Sequence, residues 1–281
     1  MKKKRNRFHL LDPLVKKAIN QFGSGIHRSL LKDVVGEIDT VRDYVPGDKR
    51  LDSAASLKAG RVMSRACSTE KSMNIFILLD VSKSQFYGSN RLKIEVGIAA
   101  GAYLTHLAGN VGDKVGLLTF DQSITNFIEL TVNEKEVANI LYLLEEPRQY
   151  GTDWRSAFER VINLNLNNSL IVLISDFCFE VGNDFVNALR KLSVGSNNCL
   201  LALALIDDNE WQLEDLPFEA RFLDAESNRS SALIKASKNK IYFGEDLENN
   251  LRHGHCEPLF VDINSDRFLM PLIKYFLRNI V

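Results

Sequence analysis

Two stretches of the chain are apolar almost without interruption, and each stops at an aspartate. Asn74–Leu79 reads NIFILL and ends at Asp80; Ser169–Ser175 reads SLIVLIS and ends at Asp176. Runs of this length without polar alternation suit strands covered on both faces. A third run, Asn198–Ile206, ends at Asp207-Asp208, and Lys114–Phe120, Ile124–Leu130 (an edge strand) and Pro258–Ile263 read as further strands. Apolar residues recur at helical spacing in Arg91–Leu107, Asn133–Leu144, from the loop at Gly151 to about Leu166, Phe185–Leu192, Asp246–His253 and Asp266–Arg278. Strands alternating with helices predict an α/β fold: a doubly wound, mostly parallel sheet with helices on both faces.

The first quarter of the chain differs. Leu10–Phe22 carries a helical stripe ending at Gly23, after which periodicity is lost. A structureless stretch of that length is unusual inside a compact chain, so residues 1–72 are expected to form a helix and an extended arm with short strands. Residues 73–281 form the main domain. A small hairpin insertion is expected at about 211–235, with Glu219–Ala225 and Ser231–Lys235 as its strands. No internal repeat or low-complexity linker separates these parts.

Composition narrows the class. The chain is 45% hydrophobic and 25% charged, as an ordinary globular protein is, and 35 basic against 36 acidic side chains leave a net charge of −1. No overall field therefore points to nucleic acid or a membrane surface. Lys2, Lys3, Lys4, Arg5 and Arg7 make a basic start that reads as a solvated end. No apolar run approaches the roughly 18–20 residues needed to span a bilayer, and polar residues interrupt any secretory pattern at the start. The four cysteines are scattered, without a CxxC pair. Cys178 and Cys199 lie in or beside apolar runs and are expected to be core thiols, which fits a reducing cytoplasm.

The strand ends carry the candidate chemistry. After Asp80 come two hydroxyls at alternate positions, Ser82 and Ser84, and then a helix. Ligands of open α/β sheets bind in such loops, at the carboxyl ends of the strands. Small oxygen donors at this spacing can converge on one hard cation, Mg²⁺ above all. Equally, Asp80 and the serines could serve only as caps of the turn and the helix start. Thr152, ahead of a helix, and Asp176, after a buried strand, lie on the same predicted edge.

The set Asp80, Ser82, Ser84, Thr152 and Asp176 resembles the metal-ion-dependent adhesion site of von Willebrand factor type A domains: Asp-x-Ser-x-Ser, a later threonine, then an aspartate after a buried strand. That resemblance implies that Ser82, Ser84 and Thr152 touch a Mg²⁺ (or Mn²⁺) ion, that Asp80 and Asp176 hold its waters, and that an Asp or Glu from a protein partner completes the coordination. Upstream, Arg42–Asp52 reads RDYVPGDKRLD. It is similar to the signature of the bacterial "domain of unknown function 58" proteins, matching at Arg42, Tyr44, Pro46, Gly47, Asp48, Arg50, Asp52 and then Arg61. Gly112–Leu117 and Leu213–Asp224 extend the likeness, which covers roughly Ser24 to the C-terminus. Leu51, Ser53 and Gln85 depart from that pattern, where isoleucine, tryptophan and often methionine stand. Members commonly have membrane helices upstream, which this chain does not show. The family resemblance implies a non-enzymatic adaptor that works with MoxR-type AAA+ ATPases in assembling or remodelling proteins.

Other readings were open at the level of sequence. A haloacid-dehalogenase-type phosphatase would use Asp80 as nucleophile and Asp207-Asp208 for Mg²⁺, but it needs a second acid where Ser82 stands. His253-x-His255-Cys256 has no fourth ligand at a recognisable spacing and reads as surface residues near a helix end. Trp154, beside Thr152, could equally shape a partner-binding rim or fill the core. Arg42, Asp48 and Arg50 read as internal salt bridges that hold the arm.

Overall fold

A computed structural model describes residues 40–43, 53–66, 74–144, 151–179, 181–193, 198–207 and 243–278. The N-terminal helix at Leu10–Phe22, the signature residues Tyr44 to Asp52, Cys67 and the hairpin at about 211–235 lie outside them.

Within the arm, β1 (Thr40–Asp43) and β2 (Met63–Ala66) form a two-stranded antiparallel sheet in which Arg42 pairs with Ser64. Between them lies the short helix α1 (Ser53–Ala59). Ser56 Oγ accepts a hydrogen bond from Met63 N at 2.8 Å, which ties this helix to β2.

The main sheet has six strands: β3 (Asn74–Asp80), β4 (Val115–Phe120), β5 (Ile124–Thr131), β6 (Ser169–Ser175), β7 (Cys199–Ile206) and β8 (Cys256–Asp262). Their order is β5-β4-β3-β6-β7-β8, parallel throughout except for the antiparallel edge strand β5. Every residue of β4 and β6, and every residue of β3 after Asn74, is buried. These are the strands whose sequences show no alternation, because helices cover both faces. The edge strand β5 is half-exposed instead.

On one face, Ile75, Ile77 and Leu79 pack with α2 (Lys93–Val111), α3 (Glu134–Leu143) and α7 (Met270–Arg278). On the other, Phe76 and Leu78 pack with α4 (Trp154–Asn163), α5 (Asn183–Ser193) and α6 (Phe243–His253). Each such side chain taken fully from water contributes about 1.5–3 kcal/mol. Helix α2 lies so close to the sheet that a Cβ on Gly97 would stand 3.0 Å from Leu79 Cδ1. Gly112, at φ 81°, closes the same helix in the left-handed conformation that favours glycine.

Two expectations are corrected here. Cys178 and Cys199 are exposed, and among the described residues the buried thiol is Cys256. Cys199 opens β7 at the sheet's amino edge. Cys178 follows Phe177, which takes the buried place and has a left-handed φ of 55°. Burial pushes the Cys256 thiol pKa up, and that side chain belongs to the core. His253 and His255 are exposed as expected, and among the described residues no three His, Cys, Asp or Glu side chains gather as a metal cluster.

Candidate metal and ligand site

Sheet register brings the strand-end residues together. Asp80 is paired with Phe120 of β4, and Leu79 with Ile174 of β6, so Asp80 lies level with Ser175. Ser175 Oγ donates to Asp80 Oδ2 at 2.6 Å, and the other oxygen, Oδ1, accepts from Ser82 N at 2.8 Å. With both oxygens held, Asp80 is buried and fixed. Its pKa is raised from 3.8 to about 7, mainly by desolvation and then by the charge of Asp176.

From Ser82 the chain makes a 3₁₀ turn, Lys83–Phe86. That turn brings Ser82 Oγ to 3.2 Å from Ser84 Oγ, and Ser84 Oγ in turn donates to Asp176 Oδ1 at 3.2 Å. The capping alternative is half right: Asp80 does hold the turn, through Ser82 N. The serines, however, cap nothing. Ser82 makes no side-chain cap bond to the 3₁₀ turn, and helix α2 begins after Leu92 with no side-chain cap.

Thr152 stands half-buried in the loop before α4. Asp153 N donates to Asp121 O at 2.6 Å, just past the end of β4, which ties that loop to the carboxyl edge beside β3. Asp153 Oδ1 also accepts from Arg155 N and Ser156 N and so caps α4. All five predicted positions therefore lie on one edge of the sheet. Direct hydrogen bonding links Ser82, Ser84 and Asp176 in one chain, and Asp80 joins it through the Ser82 backbone.

These oxygens fit a small hard cation. In an octahedron with bonds of about 2.1 Å, neighbouring oxygens lie about 3 Å apart, close to the two 3.2 Å separations found here. Hydroxyl and carboxylate oxygens with no nitrogen or sulfur favour Mg²⁺ or Mn²⁺ over softer metals.

Three site features were not anticipated. Ser175 read only as the end of a strand. Phe177 takes a left-handed backbone conformation unusual for a bulky residue, held by Phe177 N donating to Ser175 Oγ at 2.9 Å and by ring contacts with Phe179 and Phe185. Lys93, in the first turn of α2, puts Nζ 2.9 Å from Asp176 Oδ2, with both side chains 3% exposed. A lysine at a helix N-terminus opposes the helix dipole, and that was the available signal. Asp207 is engaged elsewhere on the edge: Ser89 N and Oγ donate to its Oδ2 and Asn264 Nδ2 to its Oδ1.

Gln85 is fully buried, and among the described residues neither its Oε1 nor its Nε2 finds a hydrogen-bond partner. A buried amide left so costs about 1–3 kcal/mol. Gln85→Met is therefore expected to raise the unfolding free energy by about 1 kcal/mol or more, read as a higher midpoint in urea. A lower midpoint would show that the amide is satisfied.

The six-stranded sheet, its one antiparallel edge and the cluster at its carboxyl ends define a von Willebrand factor A-like domain. The family described as "Protein of unknown function DUF58" matches residues 40–242, and the chain belongs to that family. Among solved structures it is similar to the conserved hypothetical protein BatB from Bacteroides thetaiotaomicron, at 16% identity and a TM-score of 0.51, over 74% of this chain and 98% of that one. An aerotolerance-related membrane protein from Bacteroides fragilis shows 17% identity and a TM-score of 0.49, over 74% of this chain and 98% of that one. The SpRpn10 VWA domain shows 11% identity and a TM-score of 0.44, over 72% and 94%. No curated protein matches the sequence. Among the described residues, no helix is long and apolar enough to cross a membrane.

Proposed function

We propose that this chain is a non-enzymatic, metal-dependent protein-binding adaptor that acts in the cytoplasm with a MoxR-type AAA+ ATPase, in the assembly or remodelling of other proteins. The observation that carries this reading is the run of oxygens from Ser82 Oγ through Ser84 Oγ to Asp176 Oδ1 at the carboxyl edge of the sheet. Ser82, Ser84 and Thr152 would hold Mg²⁺, or Mn²⁺ in its place, with Asp80 and Asp176 orienting its waters. Once bound, the cation supplies a positive position for an Asp or Glu of the partner, a charge-assisted interaction that chelation abolishes.

Binding is favoured over phosphatase chemistry by the state of Asp80. Both of its oxygens accept hydrogen bonds from the chain and it is 1% exposed, a poor position for a nucleophile. The general acid such chemistry needs is replaced by Ser82.

The test immobilises wild type and Asp80→Ala and measures capture of a MoxR-type ATPase from the native cell's lysate, in Mg²⁺ and in chelator. An ATPase held only by wild type in Mg²⁺ is the expected result. Equal capture in all four samples would overturn the metal-dependent reading. Hydrolysis of an aryl phosphate ester by wild type, lost in Asp80→Asn, would make the chain an enzyme instead.

A further inference from the structure

Asp176 faces two ways. Its Oδ1 accepts from Ser84 Oγ and, at 3.3 Å, from Cys178 N, and so belongs to the oxygen cluster. Its Oδ2 is bound at 2.9 Å by the Lys93 ammonium. Lys93 is 2% exposed, Asp80 1% and Asp176 8%, so three ionisable groups share one desolvated corner. Lys93 lies in the first turn of α2, and that helix is fixed against the sheet along its length through Val96, Ala99, Ala100, Tyr103 and Leu107. The backbone that carries Lys93 is therefore held in place beside Asp176.

Charge counting gives the consequence. With Asp80 and Asp176 both ionised, as a bound cation favours, two carboxylates and one ammonium carry a single negative charge; a divalent cation added to them leaves a single positive one. A buried net charge of either sign is costly. Neutrality with the cation bound requires one more carboxylate, the one that the metal-site reading assigns to the partner.

The geometry points to Lys93 as the residue that makes cation occupancy conditional on an acidic ligand: its ammonium opposes a divalent cation in the protein alone, and a carboxylate from a partner restores neutrality and retains the cation. This inference rests on the metal-site reading above and deepens it. The cation and the partner then bind cooperatively, each raising the affinity for the other by the same factor. An adaptor built this way does not hold its metal until its client arrives.

The experiment titrates the full chain with Mn²⁺, followed by electron paramagnetic resonance, with acetate as the carboxylate probe and chloride at equal ionic strength as the control. Wild type is expected to bind Mn²⁺ several-fold more tightly in acetate than in chloride. Lys93→Met is expected to bind at least tenfold more tightly than wild type in chloride and to gain less from acetate. Lys93→Gln, polar but uncharged, follows Lys93→Met and serves if the latter does not fold; Lys93→Arg, which keeps the charge, behaves as wild type. Equal Mn²⁺ affinity in wild type and the uncharged variants, with equal response to acetate, would overturn the role of Lys93 and leave the metal site standing. Mn²⁺ bound by none of the variants would overturn the metal reading, and this inference with it.

Discussion

Trp154→Ala is expected to lower the unfolding free energy by about 3–5 kcal/mol. For a chain of this size that is a fall in melting temperature on the order of 10 °C. The sequence left Trp154 equally suited to a partner-binding rim and to the core, and the structure places it in the core at 5% exposure. Its ring meets Phe185 edge-on at 5.1 Å and Phe158 edge-on at 5.6 Å, with Phe179 tilted at 6.4 Å. Edge-to-face pairs of this kind contribute beyond the area they bury. Truncation leaves a cavity under the start of α4, directly after Thr152 and the capping Asp153. A side chain on a binding rim would leave the urea midpoint nearly unchanged on truncation, so equilibrium unfolding separates the two roles without any partner in hand.

The second large effect concerns pH. In chelator, stability is expected to decline as pH rises from about 4 to about 7, because of Asp80. Its folded pKa, about 7, lies above the unfolded value of 3.8. Between those values the native state keeps a proton that the unfolded chain has released, so the unfolding free energy falls with rising pH. The contribution of Asp80 is fully present below about pH 4 and absent above about pH 7. Asp80→Asn, which cannot ionise, should flatten this slope, and an unchanged slope would assign it to other groups. Mg²⁺ bound as proposed would act in the opposite sense. It favours ionised Asp80, so the gain in melting temperature on adding it should be larger at pH 8 than at pH 5. A cation present at a hundredfold excess over its dissociation constant stabilises by about 2.7 kcal/mol.

Much of the architecture was legible in the sequence, since it follows from local rules. Asn74–Leu79 and Ser169–Ser175 are apolar throughout because helices cover both faces of their strands, and an unbroken run is how such a strand must read. The amphipathic helices were recognisable by spacing, with ends displaced by a few residues; the last begins at Met270, after a stretch of turns from Ile263. Asp80 and Asp176 could be assigned to one edge because parallel strands end on the same side of their sheet.

What spacing could not show was which neighbour each strand-end side chain would meet. Ser175 reaches Asp80 because β6 lies directly beside β3 in the sheet, and Lys93 reaches Asp176 because α2 starts over that junction. Cys178 is turned outward by a left-handed Phe177, a backbone choice that no apolar pattern encodes. By itself the sequence determined the described strands and helices of the main domain, though not helix α1 of the arm, and the set of oxygen-bearing residues at the carboxyl edge, because periodicity and burial act over a few residues. Only the tertiary structure decided that a buried ammonium shares Asp176 with those oxygens, because that contact joins positions 83 residues apart, and its geometry exists only once the sheet order is set.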